Sequence, residues 1–269
     1  MKYIIIILLL LHGLTFGQTP GSYNTLDFDG TTTFVTLGEI LTPSYTKEAW
    51  IKVEDDLGPA DRNILSGDAG NAFWVVSSAG NLLLSAGHSP GFVNVQDPES
   101  LLTNVWYHVA VSFDNSTGEM ILYKNGVEVD RSSSVASHLD PTSLIGAFNN
   151  AFLMNGNIDE VRIWSEVVSQ TVIREWMCKK VQASHPQYAG MIAYYKFDET
   201  SSTSLTDSRN SNNGTVNGTS SWVFSGAAIG DDSAFDYTGL LDPLVNDADG
   251  ASFQADGFTG SPDGAHVYL

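Results

Sequence analysis

Carboxylates are the reactive side chains this sequence offers in quantity: 31 Asp and Glu stand against 12 Lys and Arg, a formal charge of −19. Two carboxylates held about 5–10 Å apart across a bound sugar can cleave a glycosidic bond. The nearest pair is Asp159-Glu160. Neighbours in an extended strand point to opposite faces, so these two could not flank one bond. Glu160 and Arg162 would share a face and read as an ion pair. Nucleophilic catalysis has no better footing, because no Gly-x-Ser-x-Gly elbow occurs. The six His residues (12, 88, 108, 138, 185 and 266) show no zinc-ligand spacing, and His108 reads as a structural hydrogen-bonder on a strand. Cys178 is the single cysteine, which excludes an internal disulfide and reads as a buried, inert thiol. Asn246-Asp-Ala-Asp-Gly250 fails as a calcium loop: with Gly250 sixth, Val245 falls at the first position, where a carboxylate is needed.

The charge excludes nucleic acid and anionic membrane surfaces as partners, since both require basic patches. It suits divalent cations, or simply solubility. At the N-terminus Met1-Lys2 precedes an apolar run over 3–11 that His12 and Gly13 interrupt. That run is too short to span a bilayer and reads as a secretory signal peptide over residues 1–17. The expectation is an exported chain without membrane insertion.

What must position any site is β-structure. Tyr107, Val109, Val111 and Phe113 alternate at period two, followed by a turn at 114–118 and a second at Lys124-Asn125-Gly126. Asn-Gly supplies the positive φ angles of a type I′ hairpin. Short strands punctuated by Gly, Asn and Ser run from 23 to 164, the mark of a sandwich or barrel. Residues 169–180 carry Ser169 as N-cap and Val172, Ile173, Trp176 and Met177 at helical spacing, predicting one short helix. A further strand region follows at 191–224, and 229–269 reads as the start of a second β unit.

Four blocks in order resemble a known family: Leu26-Asp-Phe-Asp-Gly30 with Phe34-Val35; Glu48-Ala-Trp-Ile-Lys52; Trp106-Tyr-His-Val-Ala-Val111 with Tyr123-Lys-Asn-Gly-Val127; and Gly156-Asn-Ile-Asp-Glu-Val-Arg-Ile-Trp164. They are similar to the signature blocks of LamG-like jelly-roll domains, of the concanavalin A-like lectin/glucanase superfamily. The resemblance implies an all-β, antiparallel two-sheet jelly-roll sandwich over 18–228, with its core at 23–164. It also implies a calcium site joining the first block to the last, with Asp29 and Asp159 as carboxylate ligands. The glucanases of that superfamily carry Glu-x-Asp-x-x-Glu on one strand, and this sequence has no such run.

The expected function is therefore a secreted, non-catalytic carbohydrate-binding or adhesive module, a monomeric unit partnered by an extracellular glycan or cell-surface component. The alternative is a structural or protein-interaction spacer; a glycoside hydrolase is the least favoured. Sugars stack on exposed aromatic faces, usually carried by loops; Trp74, Phe92 and Phe148, with the acidic segment 54–61, could form such a surface, although burial in the core is the favoured reading of each, and no ligand-binding residue is assigned.

Overall fold

A computed structural model describes residues 24–54, 61–67, 73–77, 81–89, 92–138 and 142–229. The expected signal peptide, most of the acidic segment and the expected second β unit from 230 onward lie outside the described residues.

Strands come first and dominate: β1 (Asn24–Asp29), β2 (Phe34–Thr36), β3 (Tyr45–Val53), β4 (Arg62–Asn63), β5 (Leu65–Gly67) and β6 (Phe73–Ser77). There follow β7 (Leu83–Gly87), β8 (Val95–Ser100), β9 (Trp106–Asp114), β10 (Glu119–Lys124), β11 (Val127–Ser132), β12 (Ser143–Ile145) and β13 (Asn155–Trp164). After α1 (Gln170–Trp176) come β14 (Met191–Tyr195), β15 (Ser204–Leu205), β16 (Gly214–Asn217) and β17 (Ser221–Phe224). One large antiparallel sheet is ordered β11-β10-β9-β3-β13-β1-β17, with β14 on the free half of β13. The opposing layer consists of two smaller sheets, β15-β16-β2-β12-β5 and β4-β6-β7-β8. They part at Ile64, whose N–H still reaches Trp74 O at 2.8 Å.

The period-two reading holds where it was clearest. Val109, Val111 and Phe113 enter the core between the layers with Leu26, Phe28, Ile51, Trp74, Val76, Ile158 and Ile163, while His108, Ala110 and Ser112 face away. Asn125 and Gly126 take φ of 51° and 73°, and Lys124 pairs with Val127 across them, the expected hairpin. The downstream strands join the same body: β14 extends the large sheet and β16 pairs with β2.

The helix begins as expected, with Ser169 Oγ accepting from Val172 N at 3.4 Å, but ends at Trp176 rather than 180. Carbonyls that would carry further turns are taken by the sheet. Trp176 O accepts from Arg162 Nη1 at 3.0 Å, Met177 O from Trp50 Nε1 at 2.8 Å, and Lys179 O from Arg162 Nη2 at 2.6 Å. Tertiary hydrogen bonds outcompete the local ones at this end.

Gly146 shows how tightly the layers meet. Its φ is +78°, and a Cβ there would lie 2.3 Å from Cε1 of Phe28, a fully buried ring packed on Phe197. Gly146→Ala is expected to cost about 2–4 kcal/mol in urea denaturation, from left-handed strain plus overpacking. Gly38→Ala, which meets nothing within 4 Å, should change stability by less than about 1 kcal/mol.

Candidate functional site

The acidic residues do come together, though not where a substrate could reach them. The β13–β3 register shifts between Asp159 and Arg162, and Glu160 takes φ of 51°. This bulge corrects the simple alternation expected of the strand. Ile158 and Val161 still enter the core, whereas Asp159 lies opposite Trp50, and Glu160 bonds to Arg162 and Tyr194, so both acids occupy the outer face. Glu48 and Glu160 flank one guanidinium: Arg162 Nη1 is 3.5 Å from Glu48 Oε2, and Nη2 is 3.1 Å from Glu160 Oε2. All three side chains are at most 1% exposed. Tyr194 donates its hydroxyl to Glu160; burial first, then that carboxylate, raises its pKa well above 10 and keeps it a donor. His108 lies 3.4 Å from Glu48 Oε2, and burial lowers its pKa despite that partner. Nearby, burial pushes the Cys178 thiol up to about 12, so it is inert at neutral pH. The cluster is a sealed staple beneath α1, without the solvent contact that hydrolysis needs.

Asp29 and Asp159 are not joined into one site. Asp29 opposes Asn155, four residues before Asp159, which separates the two positions by roughly 13 Å along the strand. Asp29 Oδ1 accepts the backbone N–H groups of Thr31, Thr32 and Thr33 at 2.7–2.9 Å, and Oδ2 accepts the Thr32 hydroxyl at 2.5 Å. Partial burial pushes its pKa up, but these bonds outweigh that and hold it well below the usual carboxylate range. Asp159 is fully buried and accepts from Ser225 Oγ at 2.5 Å and its neighbour's N–H at 2.8 Å. Calcium takes six to eight oxygens. These two carboxylates do not fit a shared ion. Among the described residues, no group of three or more His, Cys, Asp or Glu is placed to hold a metal.

The aromatic expectation divides. Trp74 is fully buried in the core. Phe92 and Phe148 instead meet in a cleft of about 180 Å³ lined by Asp61, Asn63, Val75, Phe92, Val93, Phe148 and Phe152. Phe92 is 53% and Phe152 47% exposed, and the rings of Phe148 and Phe152 are 6.0 Å apart. Val75 forms the floor because it opposes Asn63 on the face away from the core that holds Trp74 and Val76.

Local backbone chemistry builds the walls. Asn149 and Asn150, with φ of 50° and 54°, form a two-residue turn closed by paired Phe148–Ala151 backbone hydrogen bonds of 2.8–2.9 Å. Asn63 Nδ2 donates to Phe152 O at 2.9 Å and holds the second ring in place. Phe92 N donates to His88 O, and Phe92 takes φ of 57°. Gly87 permits that turn: a Cβ there would lie 2.5 Å from Phe92 O. Phe152, Val93 and Asn63 escaped the sequence reading. The available signal was Phe148-Asn-Asn-Ala-Phe152, since Asn tolerates the left-handed region and a tight turn brings flanking rings together.

His88 ties this loop to the core. Its ring contacts Tyr45 Oη at 2.8 Å and Ala136 O at 2.6 Å. Burial lowers its pKa to about 4, helped by His138 and Lys47 against the opposing Ala136 contact. The unfolded chain therefore binds this proton at higher pH than the fold does. Stability should be full above pH 6.5 and fall as pH drops from 6.5 toward 4, read as a declining melting temperature. His88→Gln should reduce that slope without abolishing it, because burial also lowers the pKa of His108, His138 and His185; an unchanged pH slope would remove His88 from the account.

The laminin G type 3 family, described as part of the concanavalin A-like lectin/glucanases superfamily, matches residues 29–174. No curated protein matches the chain. Among solved structures, one from Bacteroides ovatus, named for an inferred carbohydrate-binding role, is 25% identical with a TM-score of 0.61. The match covers 77% of this chain and 61% of that one, so this chain spans under two thirds of its relative's length. A heptameric SAP-like pentraxin from Limulus polyphemus is 16% identical, TM-score 0.47, covering 72% of this chain and 95% of its own. Domain 4 of an extracellular arabinanase from Geobacillus stearothermophilus, in complex with arabinotriose, is 22% identical, TM-score 0.42, covering 51% and 68%. With two layers of antiparallel strands and more than half its length matched, the chain belongs to the concanavalin A-like lectin/glucanases superfamily.

Proposed function

We propose that this chain is a non-catalytic glycan-binding module whose ligand lies across the Phe92–Phe148–Phe152 cleft. The observation that carries the reading is a set of half-exposed rings on loop turns beside the carboxylate of Asp61. Sugar C–H faces pack on aromatic rings while hydroxyls bond to polar neighbours. Pockets that engulf small molecules measure roughly 300–1,000 Å³. At about 180 Å³ this cleft accepts one portion of a longer chain, as a polysaccharide would present. Likeness to the B. ovatus protein, named for carbohydrate binding, supports the same reading. The superfamily also holds hydrolases, but the one buried acid cluster is bound to Arg162, which favours binding without turnover. Export through the N-terminal apolar run would place the module outside the cell. No helix among the described residues is long and apolar enough to cross a membrane.

A second reading has its own observation. Edge strand β17 exposes Phe224 at 65% and Val223 beside it, surface that a spacer or adhesive domain could use against protein.

Phe92→Ala and Phe152→Ala should each weaken binding to a recognised polysaccharide at least tenfold, which is about 1.4 kcal/mol. Their melting temperatures should stay within a few degrees of the parent, since both rings are half exposed. Glycan array followed by titration calorimetry reads this out. Undiminished binding would move the ligand elsewhere, and release of reducing ends would make the chain an enzyme.

A further inference from the structure

We infer that the cleft selects uncharged saccharide chains over glycans bearing uronate, sialate or sulfate groups. This rests on the glycan reading and specifies its ligand. Among the described residues lining the cleft, Asp61 is the one that carries a charge; Asn63 and the apolar Val75, Val93 and phenyl rings complete that set. A hydroxyl-rich neutral sugar can donate O–H groups to that carboxylate, a charge-assisted bond, while its ring packs on Phe92 or Phe152. A uronate would bring a second carboxylate into the same space. Recognition of acidic sugars calls for a guanidinium or ammonium in the site, and no Lys or Arg is among the described residues that line this one.

Five cations elsewhere are held by carboxylates. Lys52 lies 3.4 Å from Glu54, and Lys124 lies 2.6 Å from Asp97. Arg131 bridges Glu119 and Glu128 at 2.8 and 2.6 Å, and Lys180 lies 2.9 Å from Asp198. Arg162 is sealed under the helix. In sequence, Glu54, Asp55 and Asp56 also precede Asp61 within one short segment. The net charge of −19 adds a field that repels polyanions before contact. Sequence charge and cleft composition thus point the same way.

Matched polymers isolate this charge: a panel of uronate polysaccharides, polygalacturonate among them, against the same backbones after carboxyl reduction, titrated with the whole chain. At low salt the reduced forms should bind at least tenfold tighter, with the gap narrowing at high ionic strength as screening sets in. Asp61→Asn should raise affinity for the uronate forms at least about fivefold, with melting used to confirm the fold. Equal or tighter uronate binding by the parent chain overturns the selectivity, as does uronate affinity that ignores Asp61→Asn. If such uronate binding still falls with Phe92→Ala, the glycan reading survives that failure. Binding to neither form across the panel overturns the glycan reading and this inference together.

Discussion

A guanidinium buried in the middle of the large sheet sets the terms for the rest of the molecule. Arg162 sits on β13, the strand that β1, β3 and β14 all pair with, and its side chain is 1% exposed. A buried charge is tolerable only when paired and hydrogen-bonded. Glu160 and the carbonyls of Trp176 and Lys179 accept its hydrogen bonds and Glu48 adds an ion pair at 3.5 Å, from three separate parts of the chain. The helix is short, the segment after it crosses the outer face, and Glu160 sits in a left-handed bulge, all because these oxygens must converge on one nitrogen fork. Removing such a centre while leaving its acids behind typically costs about 3–5 kcal/mol.

That staple also decides where function can be. It withdraws Glu48 and Glu160, which flank Arg162, from solvent, and the proposed ligand surface lies on the opposing layer. There the backbone is strained without an evident packing reward. Asn149 and Asn150 tolerate positive φ, but Phe92 and Phe152 carry bulky side chains in the same region, at a cost on the order of 1–2 kcal/mol each. Strain of that kind persists when surrounding structure enforces it, and both rings end up half in water rather than in the core.

How much of this could be read from residues alone depended on whether the determinant was local. The strands at 106–129 were legible because alternation and an Asn-Gly turn are properties of adjacent residues. The helix start was legible through Ser169. Its end was not, since Trp50 and Arg162 capture its last carbonyls from far away in sequence. Glu160 was correctly paired with Arg162, yet Glu48 was invisible as the third member, because strand register brings it there. The bulge defeated the alternation rule at the very residues on which the argument about acids turned. Among aromatics, Phe92 and Phe148 could be nominated from loop position, while Trp74 looked equivalent until its strand was found to face inward. Asp29 entered as a ligand only through the family resemblance; as a turn residue it is expected to accept backbone N–H groups, and three of them bond to it.

The burial of Trp74 and the exposure of the cleft are one fact seen from two sides. On β6, Trp74 and Val76 enter the core and Val75 between them is turned to the opposite face by the pleat. Packing that holds the two inner residues therefore holds the floor of the cleft. Paired backbone hydrogen bonds close the turn from Phe148 to Ala151, and Phe92 N donates to His88 O. A shallow site cannot gain affinity by enclosing its ligand. It can avoid the loss that comes from ordering mobile side chains on contact, about 0.5–1.5 kcal/mol for each one immobilised. A backbone held by turn bonds and a floor held by the core would spare part of that loss for the proposed ligand.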